Sequence, residues 1–347
     1  LLHVPLRGPT PKGLLKAGKK KVSLKATTGG GPDVDKLKLS CLPREWPSHG
    51  YTHRNTRAAA NETILSPANA ASMVVKWTLD LKALENLPNN AVTATPTVGN
   101  GLVYVASWNG NVYGVKASNG SVKWKYATGA TSPFVGSQSS PLLTADGRLI
   151  FGDSASTVHC LRAKTGQLLW KVSVGNLAVD HIWSSAQVVG GRVFIGVASH
   201  NDQPCTQGRL VALDLDTGAT LWTRTTVPDR VCHNDTAITC TTDVDCGGGV
   251  GDCIQARGAG VTATVAVEPT GATVYMATVG CYTFPSIGDS DSVFSLDAAT
   301  GAVNWKYRTE PIEQFPKPFY HDFGFLNGPL LIDGDDGAGG TRPLVVA

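Results

Sequence analysis

No apolar run in this chain approaches the roughly 18–20 residues that a membrane-spanning helix needs. Charge of one sign is also scarce. The 30 Lys and Arg residues against 27 Asp and Glu leave a net charge of +3, too small to argue for nucleic acid or an acidic membrane surface as partner. There is no Walker or Rossmann phosphate loop, no Gly-x-Ser-x-Gly elbow, no His-Glu-x-x-His pair and no Cys-x-x-Cys-His haem attachment sequence. Nor are any two cysteines adjacent. With 347 residues and 42% hydrophobic composition, the chain is long enough for a large core. Its 39 Gly and 20 Pro suit an architecture full of tight turns.

The turns recur. Ala117-Ser118-Asn119-Gly120 leads to Trp124, and Ala163-Lys164-Thr165-Gly166 leads to Trp170. Leu215-Asp216-Thr217-Gly218 leads to Trp222, and Ala298-Ala299-Thr300-Gly301 leads to Trp305. In each copy Trp follows Gly by four residues. Repeat openings at Pro96, Pro141 and Ala186 are 45 residues apart; later ones follow at Thr264-Val265 and Gly328-Pro329. A repeat of this length built from short strands predicts an all-β protein, a β-propeller of four-stranded antiparallel blades. The first blade is expected at about 94–98, 102–107, 111–116 and 121–126, with hairpin turns at Asn100-Gly101, Asn109-Gly110 and Asn119-Gly120. The recurrent Trp rings are expected to fill wedges between blades, each N–H meeting a turn carbonyl. Ser66–Ala70 is expected to open a helical turn, and Val74–Thr78 reads as strand-like.

The period is broken by insertions at 202–208, 228–258, 280–290 and 310–325, confined to particular strand connections, where propellers carry function. Cys232, Cys240, Cys246 and Cys253 fall in one polar insertion, separated by seven, five and six residues. Without a close Cys pair, disulfides are expected rather than zinc, with Cys205 and Cys281 as further candidates. Disulfides imply an oxidising compartment, periplasmic or extracellular. Two acidic Gly turns, Asp243-x-Asp245-x-Gly247 and Asp333-Gly334-Asp335-Asp336-Gly337, are candidate Ca²⁺ loops or plain turns. Residues 1–45 are basic and weakly patterned, read as a leader or the remnant of another domain; 46–347 form the propeller. The last strand, Pro343–Ala347, is expected to continue beyond this stretch, which would then hold about four complete blades and partial ones.

The turn-plus-Trp segments resemble the Ala-x-Asp-x-x-Thr-Gly-x-x-x-Trp signature of the pyrroloquinoline-quinone (PQQ) repeat propellers. Leu296–Gly301 and Leu213–Gly218 follow it closely, whereas Lys116 and Arg162 replace its Asp in the other copies. Trp46-Pro47 with Asn55-Thr56-Arg57 resembles the start of quinoprotein alcohol dehydrogenases, including the polyvinyl-alcohol dehydrogenase branch. The resemblance implies seven or eight radial blades in full, with an N-terminal strand closing the ring against the last blade.

It also implies a function: oxidation of an alcohol or polymer substrate with PQQ, Ca²⁺ and an electron acceptor. Tyr320–Phe325 resembles the segment bearing the catalytic carboxylate, which points to Asp322. Asn201 and Asp202 stand where the family places a metal-binding Glu, so Asp202 and Asp322 are the Ca²⁺ candidates and Asn201 and Asp202 the cofactor contacts. Thr262 stands where the family has a Trp stacked on the quinone, with Trp183 as a substitute platform. Gly280 falls where an Asn ligand is expected. The same repeat occurs in non-catalytic assembly factors, so the alternative is a binding propeller with a protein partner and no quinone site.

Overall fold

The structure is a computed structural model, and it describes residues 15–17, 20–22, 45–59, 62, 64–87, 90–130, 139–199, 205–235, 238–280, 289–308, 325, 327–335 and 340–347. The chain divides into two compact units, Leu1–Pro43 and Arg44–Ala347. In the first, Leu15–Ala17 and Lys20–Val22 form an antiparallel hairpin.

In the second unit the strands group in fours. Blade 1 is Thr97–Gly99, Leu102–Ala106, Asn111–Lys116 and Val122–Ala127, paired in sequence order. Blade 2 is Leu142–Leu143, Arg148–Gly152, Thr157–Arg162 and Gln167–Ser173. Blade 3 is Gln187–Val189, Arg192–Ser199, Arg209–Asp214 and Thr220–Thr225. Blade 4 is Ala266–Val267, Thr273–Ala277, Ser292–Asp297 and Val303–Arg308. Leu330–Asp335 and Thr341–Val346 form the first hairpin of a fifth. The middle strands are buried on both faces because each sheet is sandwiched between neighbours; Phe151, Phe194 and Phe294 are at most 1% exposed.

Trp joins each blade to the next. Trp124 Nε1 donates to Ala163 O (2.9 Å), Trp170 to Leu215 O (3.0 Å) and Trp222 to Ala298 O (3.2 Å). Each acceptor opens the four-residue turn of the following blade. The ring lies on that turn's Gly, whose φ is +73° to +75°; a Cβ there would stand 2.6–2.7 Å from ring carbons. Gly is needed twice, for its left-handed backbone and for the ring's close approach. Trp77 makes the same contact, its Nε1 donating to Ala117 O (3.1 Å) with its ring on Gly120. It is a fifth copy that lacks the preceding Gly turn by which the other four are found. Trp305 departs from the pattern at 43% exposed. Val74–Thr78 forms no strand: among the described residues nothing pairs with it, and Val74 and Val75 are exposed. The expected helical turn opens at Ser66, whose carbonyl accepts from Asn69 N–H (3.1 Å) and Ala70 N–H (3.0 Å), and continues as a 3-10 turn at Ala70–Ser72.

A second set of bonds runs around the axis through the residues that open the blades. The Thr95 N–H donates to Ser140 Oγ (2.9 Å), Ser140 N–H to Ser185 Oγ (3.0 Å) and Ser185 N–H to Thr264 Oγ1 (3.1 Å). The next opening residue, Gly328, has no hydroxyl, and a Cβ there would fall 1.9 Å from Thr264 O. Asn55 spans this step instead. Its amide donates to Thr264 O, Val265 O and Pro329 O at 3.0–3.1 Å and accepts from Gln187 Nε2 at 2.8 Å. The segment around Asn55 touches the first strand of every blade. Trp46 bridges Val98, Pro47 O accepts from Leu143 N, His53 O from Val267 N and Arg54 O from Leu331 N. The N-terminal stretch 45–57 is therefore a hub on the inner edges of all five sheets.

Candidate functional site

Antiparallel pairing puts alternate connections at opposite ends of each sheet. The first-to-second and third-to-fourth connections share the face of the Trp-stapled turns and are all short. The second-to-third connections and the links between blades share the other face, and every insertion departs from strand ends there.

On that loop-bearing face the end of blade 3's second strand is gripped from both sides. Asp180 and His181 pair with Ser199 and Ala198. Trp183, half-buried, donates Nε1–H to Ser199 O at 2.9 Å, and its ring packs 4.2 Å from that of His181. The Asp180 carboxylate is held by Arg209 Nη2 and by Asn176 N–H; the Arg209 guanidinium also donates to Val174 O. This clamp fixes the link that carries Trp183. On the other side Val261 N–H donates to Val197 O (3.3 Å), and Gly196 is required there because a Cβ would meet Val261 O at 2.4 Å. Gly260 bridges Val279 at the end of blade 4's second strand, and Phe325 N–H donates to Thr278 O (3.4 Å).

These bonds connect the four stretches singled out by sequence. Ser199 immediately precedes the 200–204 stretch holding Asn201 and Asp202; Thr262 follows Val261; Val279 precedes Gly280; Phe325 follows the stretch holding Asp322. Asn201, Asp202 and Asp322 themselves lie outside the described residues, as does Cys281. Trp183 is brought to the site. Thr262 Oγ1 is buried without a hydrogen-bond partner, and so are Thr206 Oγ1 and Ser290 Oγ on the same face. Buried hydroxyls left unpaired carry a desolvation penalty that a polar ligand relieves. The Trp183 indole and the Thr262 hydroxyl flank the same strand end, a donor set whose chemistry suits a flat, oxygen-rich ligand. Among the described residues the site supplies no carboxylate free to hold a cation.

In the acidic turns the carboxylates of Asp243, Asp245 and Asp333 are engaged by protein groups. Asp243 accepts from Cys253 N–H and Gly251 N–H, and Asp245 from Thr241 and Thr242. These bonds hold both carboxyls below the usual Asp range. Asp333 is in a strand, paired bidentately with Arg54 at 2.7 and 3.0 Å. In the insertion, disulfides join Cys232 to Cys246 and Cys240 to Cys253, and Cys205 is disulfide-bonded as well. The insertion's base is pinned where Thr226 Oγ1 donates to Gly208 O and Ala259 O. Cys160 is a free thiol that burial pushes up to about 12, leaving it unreactive.

The clamp and the hub were not found from sequence. Asp180 and Arg209 are 29 residues apart with no motif between them. Asn55 carried a signal in the Asn55-Thr56-Arg57 stretch, though not one that revealed its bonds.

The chain matches a family model described as outer membrane protein assembly factor BamB over residues 68–225 and 206–322. It belongs to that family of PQQ-like repeat proteins. It is 26% identical over 357 residues to a polyvinylalcohol dehydrogenase of Pseudomonas sp, covering 96% of this chain and 50% of that one. It is 24% identical over 330 residues to the dehydrogenase subunit of a quinone alcohol dehydrogenase from Gluconacetobacter polyoxogenes, covering 88% and 42%. The chain thus spans about half the length of such relatives. Among solved structures it resembles a quinohemoprotein alcohol dehydrogenase from Comamonas testosteroni, with TM-score 0.67, 20% identity and coverage of 87% and 45%. A europium-containing methanol dehydrogenase gives TM-score 0.58 at 16% identity, covering 87% and 54%. These structural matches establish the propeller fold.

Proposed function

We propose that this chain forms part of a quinone-dependent dehydrogenase that oxidises an alcohol, with a polymeric secondary alcohol as the substrate class suggested by its polyvinylalcohol dehydrogenase relatives. The observation that carries the reading is that the described residues flanking the four stretches, Ser199, Val261, Val279 and Phe325, are bonded to one another's neighbourhoods at the ends of blades 3 and 4, beside the Trp183 indole and the Thr262 hydroxyl. PQQ with Ca²⁺ would supply the electron sink and the Lewis acid. Trp183 would present its ring face to the flat cofactor. Thr262 Oγ1 would donate to a cofactor oxygen, and Asn201 and Asp202 would contribute oxygen ligands to the cation beside Asp322. Asp322 would accept the substrate hydroxyl proton as general base. The disulfides support a periplasmic or extracellular location. The test is reconstitution with PQQ and Ca²⁺ followed by reduction of an artificial acceptor in the presence of a secondary alcohol. Turnover that Asp322→Ala abolishes supports the reading; no turnover and no bound quinone refute it.

A second reading is a non-catalytic binding propeller with a protein partner. It is favoured by Thr262, which cannot stack on a quinone, and by the assembly-factor description of the family model. Partner capture insensitive to chelators, with no quinone bound, would support it.

A further inference from the structure

Where blades 1 and 2 meet on the loop-bearing face, three titratable side chains form a hydrogen-bonded line that the proposed alcohol oxidation does not use. Asp153 follows the second strand of blade 2. Its Oδ1 accepts from Ala155 N–H and Thr157 N–H, both at 2.9 Å. Its Oδ2 lies 2.8 Å from His159 Nε2, and the two side chains are 2% and 1% exposed. His159 Nδ1 lies 3.1 Å from the hydroxyl of Tyr126, which stands near the end of blade 1's outer strand. Phe151, fully buried, is stacked on the imidazole with centroids 5.1 Å apart and planes 10° from parallel.

The roles of the atoms follow from their partners. A carboxylate has no proton to give, so Nε2 carries the hydrogen and donates to Asp153. In the neutral imidazole Nδ1 then has a free lone pair and accepts from the Tyr126 O–H. The phenol therefore faces an imidazole nitrogen whose ring is anchored through its other nitrogen on the buried Asp153 side chain. Burial, and next the Asp153 charge, push the Tyr126 hydroxyl up from its ordinary value, so the phenolate is disfavoured. An electron leaves such a tyrosine readily only if the proton leaves with it, and here the acceptor is already in place. Tyr126 is half-buried, so its ring edge remains within reach of an external electron-transfer partner while water is kept from the imidazole.

We propose that Tyr126, His159 and Asp153 form a proton-coupled redox relay in which Tyr126 is reversibly oxidised by an outer-sphere one-electron oxidant. In the step, Tyr126 gives one electron to the oxidant, which is reduced by one unit, and the phenolic O–H bond breaks. The proton bonds to His159 Nδ1, giving a neutral phenoxyl radical and an imidazolium paired with the Asp153 carboxylate. Re-reduction by one electron returns the proton along the same hydrogen bond. Tyr113 and Tyr275 lack this setting. Tyr113 Oη accepts from the amides of Asn109 and Asn111, neither of which takes up a proton. Tyr275 donates to Glu268, which is partly exposed.

The test is flash oxidation of the chain, without quinone, by photogenerated tris(bipyridine)ruthenium(III), read by electron paramagnetic resonance and transient absorption. Its outcome is independent of the alcohol-oxidising reading. The relay predicts a persistent phenoxyl radical that forms more slowly in D₂O. Tyr126→Phe should remove it while Tyr275→Phe leaves it. His159→Gln should slow its formation by about tenfold or more, equivalent to about 1.4 kcal/mol on the barrier. Thermal melting checks that each variant is folded, and Tyr126→Phe, which keeps the ring, provides the test even if His159→Gln does not fold. A radical of equal yield and lifetime in Tyr126→Phe, or no radical in the parent chain, overturns the proposal.

Discussion

The two faces of the propeller differ in how they are held. The Trp face is a regular device: four indoles, each donating to the first carbonyl of the next turn and each lying on a glycine at positive φ. Among the described residues the loop face repeats one device, the belt of opening hydroxyls at Ser140, Ser185 and Thr264. The rest of that face is unlike from blade to blade: the Asp180–Arg209 clamp, the disulfide-linked insertion, the Asp153–His159–Tyr126 line and several hydroxyls without partners. Stability is concentrated where the sequence repeats, and candidate chemistry where it does not. The division is physical. Stapling needs the same contact in every blade, whereas a site needs different groups from several connections.

That contrast can be broken first at its strongest point. Trp124→Ala should destabilise by about 3–5 kcal/mol, because it deletes a buried ring and leaves a carbonyl unpaired. Trp305→Ala, in the same register but 43% exposed, should cost less than about 1 kcal/mol. Urea denaturation of both variants makes the comparison, and equal losses would deny the stapling role. Next, Asn55→Ala should cost about 2–4 kcal/mol, since three backbone carbonyls in blades 4 and 5 lose their donor together. Hydrogen exchange should then rise around Thr264 and Pro329 before it rises in blade 1. On the loop face, replacing Cys240 and Cys253 by Ser should loosen the insertion, with protease cutting between 238 and 252, while the melting of the blades moves little. Linked loops of this size contribute about 3 kcal/mol to whatever unit they close, here the insertion itself.

The smallest effect separates copies of one turn. In blades 3 and 4, Asp214 and Asp297 accept from the hydroxyl and then the backbone of Thr217 and Thr300, which holds both carboxyls below the usual range. A carboxyl lowered by folding contributes stability above its unfolded value near pH 4 and loses it as pH falls through the folded value. Blades 1 and 2 carry Lys116 and Arg162 instead. Acid below about pH 4 should therefore weaken the turns of blades 3 and 4 preferentially, and Asp214→Asn with Asp297→Asn should flatten that part of the stability–pH curve.

How much was legible in the sequence follows the same line. The strands and hairpins around Asn100-Gly101 and Thr300-Gly301 were readable because alternation and turn chemistry are local. The Trp wedges and their N–H acceptors were readable because a period exposes them. Trp77 was obscured because no Gly turn precedes it. The belt of Thr95, Ser140, Ser185 and Thr264 lay in the repeat openings, yet a hydroxyl reaching the N–H of the previous blade leaves no local pattern. At the candidate site the stretches, and Trp183 with them, were singled out through resemblance. Arg209 and His159 were not, and Asn55 was singled out without its partners, since those are fixed by how the blades meet.

The most direct test of the site is to titrate the chain with PQQ in the presence of Ca²⁺ while following tryptophan fluorescence. The account predicts saturable quenching, most of which is lost in Trp183→Phe while the quenching that remains still saturates at higher PQQ. Absence of saturable binding, or identical quenching in Trp183→Phe, would contradict a quinone site between blades 3 and 4.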